Sequence, residues 1–219
     1  MASHDIADRS VTRRAVLGGA FALMATAGAG VSLPAFAAGP APQQIADHFS
    51  NVKTMMGEFV QFGPRGEQTG GKFFIERPGK LRFNYDAPSP IRVVADGKSV
   101  LVANTKLKSY EIYPLSKTPL KLLLDKRIDL TSQSVKDVRQ DPDLTTIVLG
   151  DKQIFGDSTI TMMFDPKSYE LRQWTITDAQ GKDTTVMIFN VQQGVTFDPS
   201  VFKIDYNRVR EINQPGRGG

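Results

Sequence analysis

The sequence predicts a mainly β fold, an antiparallel meander of eleven strands with short helices laid over one face. Three observations carry this. From Glu58 onward, short apolar runs alternate with turn residues at intervals of about 8–12 residues, the spacing of strands in sandwiches and barrels. The intervening turns are too short for the crossovers that parallel neighbours need. Helical periodicity shows in only two places, one before the first strand and one midway along the chain.

Composition narrows the function. The chain has 219 residues, 40% hydrophobic and 23% charged, which is globular composition and excludes a fibrous or wholly disordered polymer. The net charge of +4 is spread singly or in pairs, without the basic block of a nucleic-acid arm, so no nucleic-acid partner is expected. Without cysteine there is no thiol catalysis, no Cys-based metal site and no disulfide. The two histidines, His4 and His48, leave little from which to build a triad or a His-rich metal centre. The reading is therefore a non-enzyme with no catalytic residue, no metal and no cofactor.

Residues 1–14 are polar and end in Thr12-Arg13-Arg14. An Ala/Gly-rich apolar run from Ala15 to Val31 follows, then Pro34-Ala35-Phe36-Ala37. This is the order of an export signal, with small residues placing the cut after Ala37. The arginine pair before a weakly apolar core resembles a twin-arginine signal, with the general secretory route as the alternative. A retained anchor is the other reading, but a run of about 17 residues with several glycines is short against the roughly 20 a span needs. The expectation is a periplasmic protein with a cleaved signal at 1–37, a single domain at 38–207 and a flexible tail at 208–219.

Elements follow in order. From Ala41 to Met56, Ile45, Phe49, Val52 and Met56 form one apolar stripe of an amphipathic helix, which Gly57 ends. His48 borders that stripe as an ordinary surface histidine. Strands are expected at 58–62, 70–77, 80–86, 91–95, 98–104, 107–113, 133–140, 143–149, 157–165, 168–178 and 182–193. Asp96-Gly97 is a strong hairpin signal, and Asp141-Pro142-Asp143 and Asp165-Pro166-Lys167 punctuate later turns. Between Pro114 and Ser132, Thr118 is positioned to cap a helix with Pro119 at its first position, and Leu120, Leu123 and Leu124 make its apolar face. A third helical turn is expected at Asp198-Pro199.

Leu81, Phe83 and Tyr85 alternate with polar residues, so one face of the sheet is dry. Phe73 or Phe74, Met162 or Met163, Phe164, Trp174, Met187 and Phe189 supply further bulk whose parity a single strand does not reveal. Methionine adapts to irregular apolar shapes and would suit a cavity for flexible chains; an ordinary core is the simpler reading. Catalytic motifs fail. Gly97-Lys98-Ser99 lacks the earlier glycine of a phosphate loop and begins a strand. The same stretch lacks the second glycine of a nucleophile elbow. Asp141/Asp143 and Asp125/Asp129 sit in turn chemistry with no calcium-loop pattern.

Phe73-Phe74-Ile75-Glu76-Arg77-Pro78-Gly79-Lys80-Leu81-Arg82-Phe83-Asn84-Tyr85 is more specific. Together with Gly57-Glu58-Phe59-Val60-Gln61, Gly70-Gly71-Lys72, Val94-Ala95-Asp96-Gly97-Lys98 and Thr118-Pro119-Leu120, it resembles the periplasmic outer-membrane lipoprotein carrier family LolA, over nearly all of residues 42–205. The resemblance implies a strongly curved, incomplete antiparallel barrel of about eleven strands whose concave apolar face is covered by the N-terminal helix and the mid-chain helical insertion. It implies a carrier without a cofactor that takes triacylated lipoproteins from an inner-membrane ABC transporter of LolCDE type and passes them to an outer-membrane receptor of LolB type where one is present; a monomer is expected. By the same resemblance Arg77 latches the lid through backbone carbonyls, with Pro78 holding it extended. Phe83, Tyr85, Leu120, Leu123, Leu124, Met163 and Trp174 are the candidate acyl-binding residues. Lys121 stands where an apolar lid residue is implied. A half-barrel sensor of lipidated ligands is the alternative binding module, and a lipid hydrolase lacks a base to pair with its nucleophile.

Overall fold

A computed structural model describes residues 41–213. The expected export signal, its expected cleavage point and His4 lie outside the described residues. The chain runs α1 (Pro42–Asn51), β1 (Thr54–Phe62), β2 (Gln68–Glu76), β3 (Lys80–Tyr85), β4 (Ile91–Asp96), β5 (Ser99–Asn104) and β6 (Ser109–Pro114). A 3₁₀ turn (Leu115–Lys117) and α2 (Leu120–Leu124) precede β7 (Val135–Asp141), β8 (Leu144–Gly150), α3 (Lys152–Phe155) and β9 (Thr159–Phe164). The chain ends with β10 (Leu171–Thr177), β11 (Asp183–Gln193), a second 3₁₀ turn (Pro199–Phe202) and α4 (Tyr206–Asn213). No helix among the described residues is long and apolar enough to cross a membrane.

All eleven expected strands form one open antiparallel sheet, in the order β6-β5-β4-β3-β2-β1-β11-β10-β9-β8-β7. It is two meanders and not the single one that sequential hairpins suggested. β1 pairs with β11, placing Phe59 opposite Ile188, and so joins the first strand to the last. The segment between β6 and β7 therefore links the two outer edges of the sheet. A register shift between Met56 and Glu58, with Asn190 at φ 52°, breaks the β1–β11 ladder, as bulges do where a sheet bends.

The dry face holds Phe59, Phe73, Leu81, Phe83, Met162, Phe164 and Trp174, and α1, α2 and Ile128 pack into it as one cluster. Parity decides which bulky residues belong. Met162 is fully buried, while Met163 lies on the opposite face of β9; Val186 and Ile188 point inward, leaving Met187 and Phe189 exposed on the other side. The expectation of Met163 on the dry face is corrected accordingly, and the parity left open for Met187 and Phe189 resolves to the other face.

The helices differ from the expectation at their ends. α1 stops at Asn51, and Met56 belongs to β1, because Thr54 already pairs with Glu76. Gly57 does not end a helix. It sits in β1 opposite Phe73, where a Cβ would come within 2.9 Å of the Phe73 ring and 2.8 Å of the Phe189 carbonyl. Thr118 does not cap α2; its hydroxyl donates to Leu115 O at 3.0 Å and closes the preceding 3₁₀ turn. Asp198 caps the second 3₁₀ turn through Ser200 N at 2.8 Å, as its place before Pro199 predicted. α3, capped by Asp151, was not anticipated. The flexible tail at 208–219 is corrected in part: residues 208–213 are helical, because Val209 is buried with Ile204 against Val94, Leu101 and Ala103 on the outer face of the sheet.

Polar side chains of α1 tie it to the segment after α2. Gln43 donates to Ile128 O at 3.1 Å and accepts from Leu130 N at 2.9 Å. Ser50 Oγ accepts from Ile128 N at 3.0 Å while donating to Ala46 O at 2.6 Å. Asp47 pairs with Arg127 at 2.9 Å. The buried amides and carbonyls of an irregular segment need such partners, and α1 supplies them.

Two outcomes follow from this packing. Met162→Ala will lower unfolding stability by about 2–5 kcal/mol, and Met163→Ala by under about 1 kcal/mol, in urea titrations. Gln43→Ala will raise the hydrogen-exchange rate of the Leu130 amide and cost about 1–2 kcal/mol of local stability, leaving amides of β1 and β11 protected.

Candidate functional site

The concave face and its helical cover make the site. On β3, Leu81 and Phe83 point inward by strand alternation, and Phe83 stacks on Trp174 of β10 with ring centroids 6.1 Å apart and planes at 26°. Phe59 of β1 lies 4.6 Å from Phe83 and 5.1 Å, edge-on, from Tyr85. Three strands distant in sequence thus contribute to one aromatic floor. Tyr85 sits at its rim, where its hydroxyl donates to Gln61 at 2.8 Å and burial pushes its proton affinity well up. Phe49 of α1 meets Phe164 of β9 edge to face at 5.4 Å, which plants the helix on the floor.

Phe83, Tyr85, Leu120, Leu123, Leu124 and Trp174 all fall in the one apolar cluster under the helices. Met163 does not, and Met162 takes its place there. Phe59 and Ile128 were missed as site residues. Phe59 alternates with Glu58 and Val60, a signal that was present but shared by every strand. Leu120, Leu123 and Leu124 are the buried face of α2, while Lys121 turns outward and pairs with Asp125 at 2.6 Å. His48 is exposed on α1, with its ring 5.5 Å from that of Tyr169. Among the described residues no three His, Cys, Asp or Glu side chains gather as a metal site.

Among the described residues Arg77 is the one buried charge. It opens the turn from β2 into β3 and is 5% exposed, yet pairs with no carboxylate among the described residues. Its Nε donates to Val52 O at 3.1 Å, and Nη2 donates to the carbonyls of Phe49 and Val52. The guanidinium carbon also stands 3.9 Å from the centroid of the Phe49 ring. Phe49 O lies in the last turn of α1, where it also accepts from Val52 N at 3.2 Å, and Val52 directly follows the helix, so the guanidinium sits at the negative end of α1. Burial lowers the Arg77 pKa to about 10, so the group stays charged at neutral pH. Two residues on, Gly79 N donates to Leu124 O at 2.9 Å. One turn of the sheet thereby grips the C-terminal ends of both covering helices.

Among the described residues of this site no nucleophile is paired with a base. The site can shelter apolar surface, and admitting any requires that the helices move, since the chain's own side chains fill the concave face.

Comparison with known proteins bears on what such a fold does. The family model described as "Outer membrane lipoprotein carrier protein LolA" matches residues 50–205, from the end of α1 to the start of α4. The outer-membrane lipoprotein carrier protein of Chromobacterium violaceum is 27% identical over 191 residues, covering 83% of this chain and 91% of that protein. The protein of the same description from Pseudomonas putida is 26% identical over 186 residues, covering 78% and 84%. A crystal structure of a LolA superfamily protein from Nitrosomonas europaea superposes with a TM-score of 0.41 at 8% identity, covering 75% of this chain and 98% of that one. On the family match, which spans the whole sheet and its mid-chain insertion, this chain belongs to the LolA family of outer membrane lipoprotein carriers.

Proposed function

We propose that this protein is a periplasmic carrier that holds the acyl chains of lipoproteins on its concave face, receiving them from an inner-membrane ABC transporter and delivering them to the outer membrane. The observation that carries the reading is the buried, carboxylate-free Arg77, hydrogen-bonded to the end of α1. A permanent core has no use for such a group, because hydrophobic replacement of a buried charge is often neutral or stabilising. A cover that must open has a use for it. Hydrogen bonds to carbonyls can be exchanged for water when the helix lifts, and the guanidinium regains its hydration.

The energetics of cargo make a carrier necessary. At about 0.8 kcal/mol per CH₂, an acyl chain of about 16 carbons drawn from a bilayer into water loses on the order of 12 kcal/mol. Unsheltered transit is negligible at that scale. The aromatic floor of Phe59, Phe83 and Trp174 with Met162 offers adaptable apolar area once α1 and α2 withdraw. Phe83, Tyr85, Leu120, Leu123, Leu124 and Trp174 are the residues we assign to acyl contact, and Arg77 is the latch of the empty form. Closure and cargo compete for the same surface. Whatever stabilises the closed form therefore weakens apparent affinity for cargo and favours release.

Two measurements test the proposal. Native and denaturing mass spectrometry of the protein isolated from the periplasm will find acylated lipoprotein bound; an empty protein that also extracts no lipoprotein from membranes containing its transporter refutes the carrier reading. Arg77→Leu removes charge-assisted bonds worth about 1.5–3 kcal/mol to the closed form, so handover of bound lipoprotein to an acceptor will slow by roughly tenfold or more. Release at the wild-type rate removes Arg77 from the mechanism.

A further inference from the structure

The outer face of the sheet, away from the helical cover, carries a second constellation that the carrier reading does not use. After β11 the chain crosses this face, and Val209 and Ile204 pack on Val94, Leu101 and Ala103. Between this crossing segment and β3–β5 lies a surface cavity of about 250 Å³. Arg82 and Arg92 enter it from the sheet, and Lys203 and Arg208 from the C-terminal segment.

Arg82 and Arg92 are diagonal neighbours: Arg82 pairs across β4 with Val94, and Arg92 pairs with Asn84. Partial burial and repulsion from Arg92 both hold the Arg82 guanidinium below its ordinary proton affinity. Arg82 is anchored, its Nε donating to Asn84 Oδ1 at 2.7 Å and its Nη1 to Val201 O at 3.0 Å. Arg92 and Arg208 are different. Arg65, Arg127, Arg139 and Arg172 each face a carboxylate, Arg77 faces carbonyls and Arg210 faces Asn207. Among the described residues only Arg92 and Arg208 have a guanidinium with no hydrogen-bond or ion-pair partner, and both line this cavity. A single acid lines it, Asp205, whose Oδ1 accepts the backbone amide of Arg208 at 3.0 Å. Tyr110 also lines the wall.

Four cations from two separate chain segments, gathered round one cavity with a single carboxylate, leave it net positive and favour a further anion between them. Guanidinium forks match the tetrahedral oxygens of phosphate, which can accept from several donors at once. We propose that this cavity is a binding site for a phosphate group, either free or as the headgroup of a phospholipid. The site stands whether or not the concave face carries lipoproteins, since no residue is shared between them.

The test is titration of the full-length-encoded purified protein with inorganic phosphate, followed by backbone amide chemical shifts, alongside co-sedimentation with phosphatidylglycerol and with phosphatidylcholine vesicles. Saturable shifts at Arg92, Lys203 and Arg208 that weaken about tenfold or more in Arg92→Gln/Arg208→Gln support the site, with a free phosphate as its source. Co-sedimentation with the anionic vesicles that the same double variant loses supports it with a lipid headgroup as the source. Neither guanidinium makes a structural bond, so the double variant will unfold at the wild-type urea midpoint, and Arg139→Gln at the far edge will bind as wild type. The proposal is overturned if neither probe binds, if the double variant binds both undiminished, or if only an acidic peptide such as poly-glutamate is held.

Discussion

An antiparallel sheet that does not close on itself has an inner face to bury and no strands left with which to bury it. That constraint organises this protein. Eleven strands align Phe59, Phe73, Leu81, Phe83, Met162, Phe164 and Trp174 on one side, and the outermost strands β6 and β7 stay unpaired with each other. The chain solves the problem with what it has spare at two places, the helix before the first strand and the segment that must travel from one edge to the other. α1 and α2 are both short and would be marginal alone; packing on the sheet is what makes them helices. Cover and sheet are thus mutually dependent without being one continuous element.

The cover is held by two kinds of contact. Deep in the core the contacts are apolar and numerous. The polar ones are few: Gln43, Asp47 and Ser50 hold the segment around Ile128 to α1, and Arg77 with Gly79 holds both helices to the β2–β3 turn. Polar fastenings lose little when water replaces a partner, whereas a jigsaw of side chains resists partial opening. Arg77 is the sharpest case, because its charge is retained under burial without a counter-charge to fix it in place. In a family whose members carry lipoproteins, a cover held by exchangeable bonds over an aromatic floor is the expected compromise between shelter and release.

The outer face has a different chemistry. Where the inner face excludes charge except at Arg77, the outer face under α4 gathers it, and leaves Arg92 and Arg208 without partners. Exposed cations are commonly matched on this surface, as Arg127, Arg139 and Arg172 show. The two faces of one sheet therefore present separable surfaces, one apolar and hidden, the other basic and open.

The strand positions were legible because strand and turn signals act within a few residues: Asp96-Gly97 makes its hairpin locally, and Asp198-Pro199 starts its 3₁₀ turn locally. The buried triplet of Leu120, Leu123 and Leu124 was legible for the same reason, since its spacing is that of a helix face. What failed did so where the answer lay across the chain. Whether Met162 or Met163 faces inward depends on register against β8 and β10, and the exposure of Met187 and Phe189 depends on the β1–β11 pairing, which joins strands more than a hundred residues apart. The end of α1 was set by the pairing of Thr54 with Glu76, which begins the strand that the helical stripe would otherwise have continued into. By itself the sequence determined the number of strands, most of their turns and the apolar character of one face, because each is written in neighbouring residues. Only the tertiary structure decided which face each side chain takes, what Arg77 touches and which cations stand unpaired, because those are properties of residues brought together by register and packing.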